Sequence, residues 1–136
     1  NCLIHPSVRQ AVHSRYERLM KETLTWCAQN IDGGFRTELE KEYQTLNPQK
    51  SEKADFETVY SIARELIESD AVKVLVMNGR NSIASEEYSS GSNIVIGGNT
   101  LGRGVTFPSL HTIYYTRTKQ ETAGRYNVAA QSYVWV

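Results

Sequence analysis

NIVIGGNTLGRGVTFPSLHTIYYTR, residues Asn93 to Arg117, is the stretch that decides how this chain is read. It opens as a short buried strand (Ile94, Val95, Ile96) and passes into a glycine-rich loop. It then returns as a second strand from Leu110 to Thr116. Gly97, Gly98, Gly102 and Gly104 fall within eight residues, a density that serves no packed core. Each glycine costs backbone entropy and brings no side chain. Strand followed by glycine loop is where open α/β sheets carry ligands, beyond the carboxyl ends of their strands. Successive backbone N–H groups there can form an anion-binding nest, and Arg103 adds a permanent positive charge. A plain glycine-rich turn between two strands fits the same composition.

Outward from that stretch, the 136 residues suit one domain with a core of its own. Lys plus Arg and Asp plus Glu number 15 each, so no overall field points to a polyanionic partner. A local basic edge inside a neutral total is still compatible with one. Cys2 and Cys27 make neither a disulfide framework nor a zinc pattern, and three scattered histidines add nothing to a metal case. His5 and His13, flanking the start of a helix, read as structural. No apolar run reaches membrane-spanning length and no secretory leader pattern is present. The expectation is a cytoplasmic protein with no membrane partner, and a chain opening at Asn1 reads as an excised fragment.

In chain order, Cys2–His5 reads as a short strand, and Pro6 keeps His5 out of the helix that follows. Val8, Val12, Tyr16, Leu19, Met20, Leu24 and Cys27 recur at helical spacing between Ser7 and Asn30, which predicts one long amphipathic helix. Ile31-Asp32-Gly33-Gly34 ends it. Phe35 to Leu46 predicts a more polar second helix, stopped by Asn47-Pro48. A third helix is predicted over Ala54 to Glu68, with Phe56, Val59, Ile62, Ala63, Leu66 and Ile67 inward. Val72 to Met77 is the strongest strand, so continuously apolar that both its faces are expected to be covered by helices. Ser82 to Ser92 reads as an exposed loop, and the Glu86-Glu87 pair in it as plain surface. The resulting order, β-α-α-α-β-loop-β-loop-β, predicts an α/β fold with a mainly parallel sheet flanked by helices.

The chain contains no GxxxxGK[ST] phosphate loop, no GxSxG elbow and no HExxH. Two segments together, LIHPSVRQAVH near the start and IVIGGNTLGRGVTFPSLHTIYYTRT near the end, resemble the Z-one domain family, which is fused to superfamily 2 helicase-like ATPases of restriction and phage-defence systems. The pattern GGN-x-L-x-RG-x-T followed by a Tyr-rich strand ending in Arg is far more specific than a lone glycine motif. The resemblance implies a partial RecA-like sheet, the second lobe of a two-lobed motor, spanning residues 1–118. Its own lack of a phosphate loop is then expected, since that loop belongs to the first lobe.

The resemblance also implies roles. Leu3-Ile4-His5 falls where such lobes place their motif IV strand, which makes His5 a possible nucleic-acid or nucleotide contact. Gly98 through Thr106 falls on motif V, the loop that couples nucleotide to nucleic acid. Gly98, Asn99, Leu101, Arg103, Gly104 and Thr106 are the coupling residues it implies. Thr106 stands where many helicases carry an acid, a departure from the pattern. Arg117 matches the arginine at the end of the Tyr-rich strand, for which a surface salt bridge is the plain alternative. The parent would use ATP and Mg and act on DNA together with a first RecA-like lobe of the same chain. This fragment alone would bind no cofactor, hold no metal and catalyse nothing.

After about Thr118 the resemblance is expected to stop abruptly. Family members continue there with a segment like QADTMWQHSRMFGY, which corresponds to motif VI and supplies an arginine to the ATP phosphates. This chain instead runs Gly124-Arg-Tyr-Asn-Val-Ala-Ala-Gln-Ser-Tyr-Val-Trp-Val136. With suitable codons for that tail, the same bases read one position later give ADTMWQHSRMFG. Residues 119–136 are therefore expected to be a frameshifted remnant. Its β-prone residues are expected to be mobile or to add as an extra strand to the sheet. A helix packed as motif VI is the competing outcome. Two functions follow from the sequence: a piece of a DNA-acting ATP-dependent motor of restriction or DNA-processing type, possible endonuclease included, or a stand-alone α/β module binding a phosphorylated ligand or protein partner.

Overall fold

Strand β1 (Cys2–His5), helix α1 (Gln10–Gln29), helices α2 (Arg36–Thr45) and α3 (Phe56–Glu68), and strands β2 (Val72–Met77), β3 (Ser92–Gly97), β4 (Thr112–Tyr115) and β5 (Gln131–Val134) follow one another along the chain. They come from a computed structural model, which describes residues 1–6, 10–45, 54–77, 90–98, 110–115 and 131–134. The element order is the one the sequence predicts, with β5 added. The chain divides into a sheet unit, Asn1–Met20 with Val72–Val136, and a helical unit, Lys21–Ala71.

The sheet has the strand order β2-β3-β1-β4-β5. Its first four strands pair in parallel, and β5 joins β4 antiparallel. This is an α/β fold with a mainly parallel sheet. Register places Leu75, Val95, Leu3 and Ile113 in one row across four strands. Because side chains alternate between faces along a strand, the neighbouring row Val76, Ile96, Ile4 and Tyr114 lies on the other face. Val95 and Ile96 are both 0% exposed, so β3 is covered on both faces. Leu3, Met77 and Val95 form the buried cluster, with Leu75, Leu110 and Ile113 packed against it.

Two expectations change here. The most apolar segment, Val72–Met77, is an edge strand, half-buried over most of its length with Lys73 exposed. The shorter β1 and the β3 strand hold the centre, because pairing on both sides buries a strand more than its own composition does. In α1, Leu19 is 48% exposed and off the inward stripe. The stripe instead runs through Val12, His13 and Tyr16 to Met20, and His13 is only 2% exposed. Ser7, Val8 and Arg9 lie outside the described residues.

In the helical unit, α1 continues through half-buried Leu24 and buried Cys27. It ends where Asn30 donates its backbone N–H and its side-chain amide to the Trp26 carbonyl, at 3.0 and 2.8 Å. A π-type turn over Ile31–Phe35 then re-aims the chain, with Gly33 at φ −120°, ψ −105°. A Cβ on Gly34 would stand 3.0 Å from Trp26 Cζ2, so a larger residue there would require the indole to shift by a few tenths of an ångström. Tyr43 joins α2 to α3, its ring 5.5 Å from Phe56 and its hydroxyl donating to the Ala54 carbonyl at 2.6 Å. Arg36 lies over the Phe56 and Tyr60 rings, 5.3 and 4.6 Å from their centroids, and pairs bidentately with Glu57. That hydrogen-bonded pair raises the guanidinium pKa above its ordinary value.

Asp55 caps α3 by accepting from Thr58 N at 3.0 Å and from Thr58 Oγ1 at 2.7 Å. On α3 the expected inward residue Ile62 is 56% exposed, whereas Tyr60 is buried. The Tyr60 hydroxyl reaches Asp32 Oδ1 at 2.8 Å and the Ile31 carbonyl at 3.1 Å, so a polar tip on a large ring takes the inner position. Past the helix end Asp70 adopts φ 52°, a left-handed stop more often given to glycine.

Candidate functional site

Register brings the carboxyl ends of the four parallel strands level with one another. Met77 faces Gly97, Ile4 faces Ile96, and His5 faces Tyr115. One step past Ile4 and Ile96, His5 stands beside Gly97. The last row of the sheet is therefore Met77, Gly97, His5, Tyr115.

Connectivity singles out one place along that row. The chain leaves β1 for β2 and must cross β3, whereas it leaves β3 for β4 and must cross β1. Connections between parallel strands are right-handed, so two that run in opposite directions leave on opposite faces. They part between β1 and β3. That is the topological switch point, where open α/β sheets carry their ligand crevice. The residues there are His5 at the end of β1 with Pro6 after it, and Gly97 at the end of β3 with Gly98 after it, all buried. Gly97 and Gly98 bring no side chain to this place, and His5 is the polar residue beside them.

Two of the sequence-predicted site residues, His5 and Gly98, thus come together at the switch point. Asn99, Leu101, Arg103, Gly104, Thr106 and Arg117 lie outside the described residues. Cys2, at the amino end of β1, has its thiol pKa raised by burial and stands at the other end of the strand from this site.

The opposite, amino-end edge of the sheet holds a residue to which sequence reading gave no role. Asn93 is buried, and its Nδ2 donates to Asn1 Oδ1 at 2.8 Å and to the Ser90 carbonyl at 3.0 Å. The His111 backbone N–H donates to the Asn1 carbonyl at 3.0 Å. Together these bonds tie the amino ends of β1 and β3 and the approach to β4 in the register that the strand ladders hold. Only the isolated polar residue ahead of an apolar triplet marks Asn93 in sequence.

The family model for the Z1 domain matches residues 1–130. The chain belongs to the Z1 domain family. No curated protein and no solved structure shows a significant match. In this Z1 domain the matched span takes in β1 to β4 and the whole helical unit and ends immediately before β5, so it runs past Thr118, where the resemblance was expected to stop. Of residues 119–136 the described part is β5, which adds to the edge of β4 as the extra strand expected of a β-prone tail. Among the described residues no group of His, Cys, Asp and Glu is placed to hold a metal ion. None of the described helices is long and apolar enough to cross a membrane.

Proposed function

We propose that this Z1 domain is the second RecA-like lobe region of an ATP-dependent, DNA-acting motor of restriction or DNA-processing type. Its glycine loop couples nucleotide binding to nucleic-acid binding. The observation that carries the reading is the switch point: the glycine stretch beginning at Gly97-Gly98 leaves the sheet beside His5, where α/β sheets of this connectivity bind their ligands.

In such a motor ATP lies between two lobes and its hydrolysis, with Mg, supplies the free energy of movement. The glycines of this stretch fit that use, since a backbone without side chains can come close to phosphate. The residues of this chain that would face the nucleotide are Gly98 and the loop through Arg103. Arg103 brings a charge that persists at any working pH. Contacts of its guanidinium and of backbone amides follow the phosphate backbone and carry no base preference. A loop that touches both ligands transmits closure of the cleft to displacement along the strand. The first lobe of the same chain is the partner this requires, in a cytoplasmic enzyme. We take residues 119–136 to be a frameshifted replacement for the arginine-bearing segment, a reading that the nucleotide sequence of the gene decides.

Arg103→Ala in the longer protein tests the role of the loop. DNA-coupled ATP hydrolysis is expected to fall while the melting temperature holds. Undiminished coupling would leave the loop a plain turn, and a large fall in melting temperature would make Arg103 structural.

A further inference from the structure

The carboxyl end of α3 departs from the electrostatic pattern of a stable helix. Aligned peptide dipoles leave partial negative charge there, which lysine or arginine in the last turn ordinarily offsets. α3 has no basic residue in its last turn. It carries Glu65 and Glu68 instead, with Asp70 just beyond, and all three are exposed. The helix is ended without them. The Ser69 backbone N–H and hydroxyl both donate to the Glu65 carbonyl, at 3.0 and 2.6 Å, and the Ala71 N–H donates to the Leu66 carbonyl at 3.0 Å. Arg64, one turn back, is divided between Asp32 at 2.6 Å and Glu68 at 3.0 Å. Elsewhere in the unit Arg36 pairs with Glu57 and Lys41 with Glu38. Over the whole helical unit six Lys and Arg stand against eleven Asp and Glu, a formal charge of −5.

The same face has relief and an apolar component. Ser61, Arg64, Glu65, Glu68 and Ser69 recur at helical spacing and line a hollow of about 440 Å³ along one side of α3. Ile62 precedes Glu65 by one turn and Ser69 by two, so it borders that side, and it is 56% exposed. The exposed residues of α2 are all polar, as on an ordinary solvated face. On α3 an aliphatic side chain stands beside a carboxylate-lined hollow at the negative end of the helix.

We infer that the C-terminal half of α3 is a docking surface for a basic protein segment, which lays an apolar side chain on Ile62 and brings lysine or arginine to the hollow lined by Glu65 and Glu68. Charge complementarity fixes the class of partner. A cation there meets two carboxylates and the helix dipole together, whereas a polyanion is repelled. Ile62 offers nothing to a free metal ion and matches an apolar residue of a polypeptide. Neither ATP nor nucleic acid enters, so the surface is independent of the motor function proposed above.

The probe is a fluorescein-labelled amphipathic peptide of leucine and lysine, about two heptads long, titrated with the full chain at low salt and followed by fluorescence anisotropy. Glu65→Gln with Asp70→Asn removes two exposed charges, each worth about threefold in affinity, and is expected to weaken binding about tenfold. Asparagine tolerates the left-handed backbone at position 70, φ 52°, so this variant keeps the helix end. Ile62→Ser is expected to weaken binding about threefold or more. Glu40→Gln with Glu42→Gln, which removes the same charge from α2, is expected to change affinity by less than about twofold. A peptide of the same composition with its leucines scattered is expected to bind more weakly than the amphipathic one. Failure of the unmodified chain to bind the peptide overturns the inference, as do equal losses in the α2 and α3 charge variants at unchanged melting temperatures. Calcium that displaces the peptide at constant ionic strength would assign the carboxylates to a metal ion and overturn it as well.

Discussion

Replacing Asn93 perturbs the hydrogen bonds that join the amino ends of β1 and β3. The Asn93 side chain is buried and gives its amide to two oxygens at 2.8 and 3.0 Å, with the Gly91 carbonyl also within reach at 3.5 Å. Each such bond is worth roughly 0.5–1.5 kcal/mol net, so Asn93→Ala is expected to cost about 1–3 kcal/mol. Asn93→Asp keeps the shape and reverses the chemistry. A carboxylate would then face Asn1 Oδ1 and the Ser90 and Gly91 carbonyls, with no donor among those three. Burial and surrounding oxygens raise the pKa of such an acid, and each tenfold weakening of it costs about 1.4 kcal/mol of stability at neutral pH. Its folded pKa would exceed its unfolded one, so the penalty is full above the folded pKa and is relieved as pH falls toward the unfolded value. Urea denaturation monitored by far-ultraviolet circular dichroism at pH 7 and pH 5 separates the cases. Asn93→Asp is expected to be the less stable variant at pH 7 and to recover part of the difference at pH 5. Equal stability of both variants at the two pH values would refute the role given to this amide.

Three further outcomes follow from the same geometry. Ile96 is fully buried at the centre of the sheet, so Ile96→Ala is expected to lower unfolding free energy by about 2–5 kcal/mol, read as a shift in the urea midpoint. The two Thr58 hydrogen bonds hold the Asp55 carboxyl below its usual range. Capping of α3 is therefore complete above the unfolded-state pKa, near 3.9, and is lost as pH falls through the depressed folded value. An acid titration of helicity should show this limb in the unmodified chain and lose it in Asp55→Asn, which keeps a capping oxygen. The chain alone is expected to show no DNA-stimulated ATP hydrolysis, and purified protein that hydrolyses ATP would refute the second-lobe assignment.

Much of the fold is legible in the sequence because its elements carry strong local signals. Val72–Met77 and Ile94–Ile96 are apolar runs of strand length, and the stripe from Val12 to Cys27 repeats at helical spacing. Strand order is not local, however. Nothing in the composition of Val72–Met77 shows that it pairs on one side only, or that four-residue Cys2–His5 lies at the centre. Tyr60 and Ile62 exchange their expected places because the inward position offers Asp32 and the Ile31 carbonyl to a hydroxyl, a partnership formed across a turn. At the site, the glycines mark a backbone that leaves a strand end, and the family pattern adds His5. That His5 and Gly97 stand side by side emerges only once β1 and β3 pair.

Amide chemical-shift mapping of the full chain, titrated with a short DNA duplex, tests most directly whether the carboxyl edge of this sheet is the ligand-facing edge. The largest perturbations among the described residues are expected at His5, Gly97 and Gly98, with α2 and α3 unaffected. Perturbations centred on α2 and α3, or on Asn1 and Asn93 at the opposite edge, would contradict it.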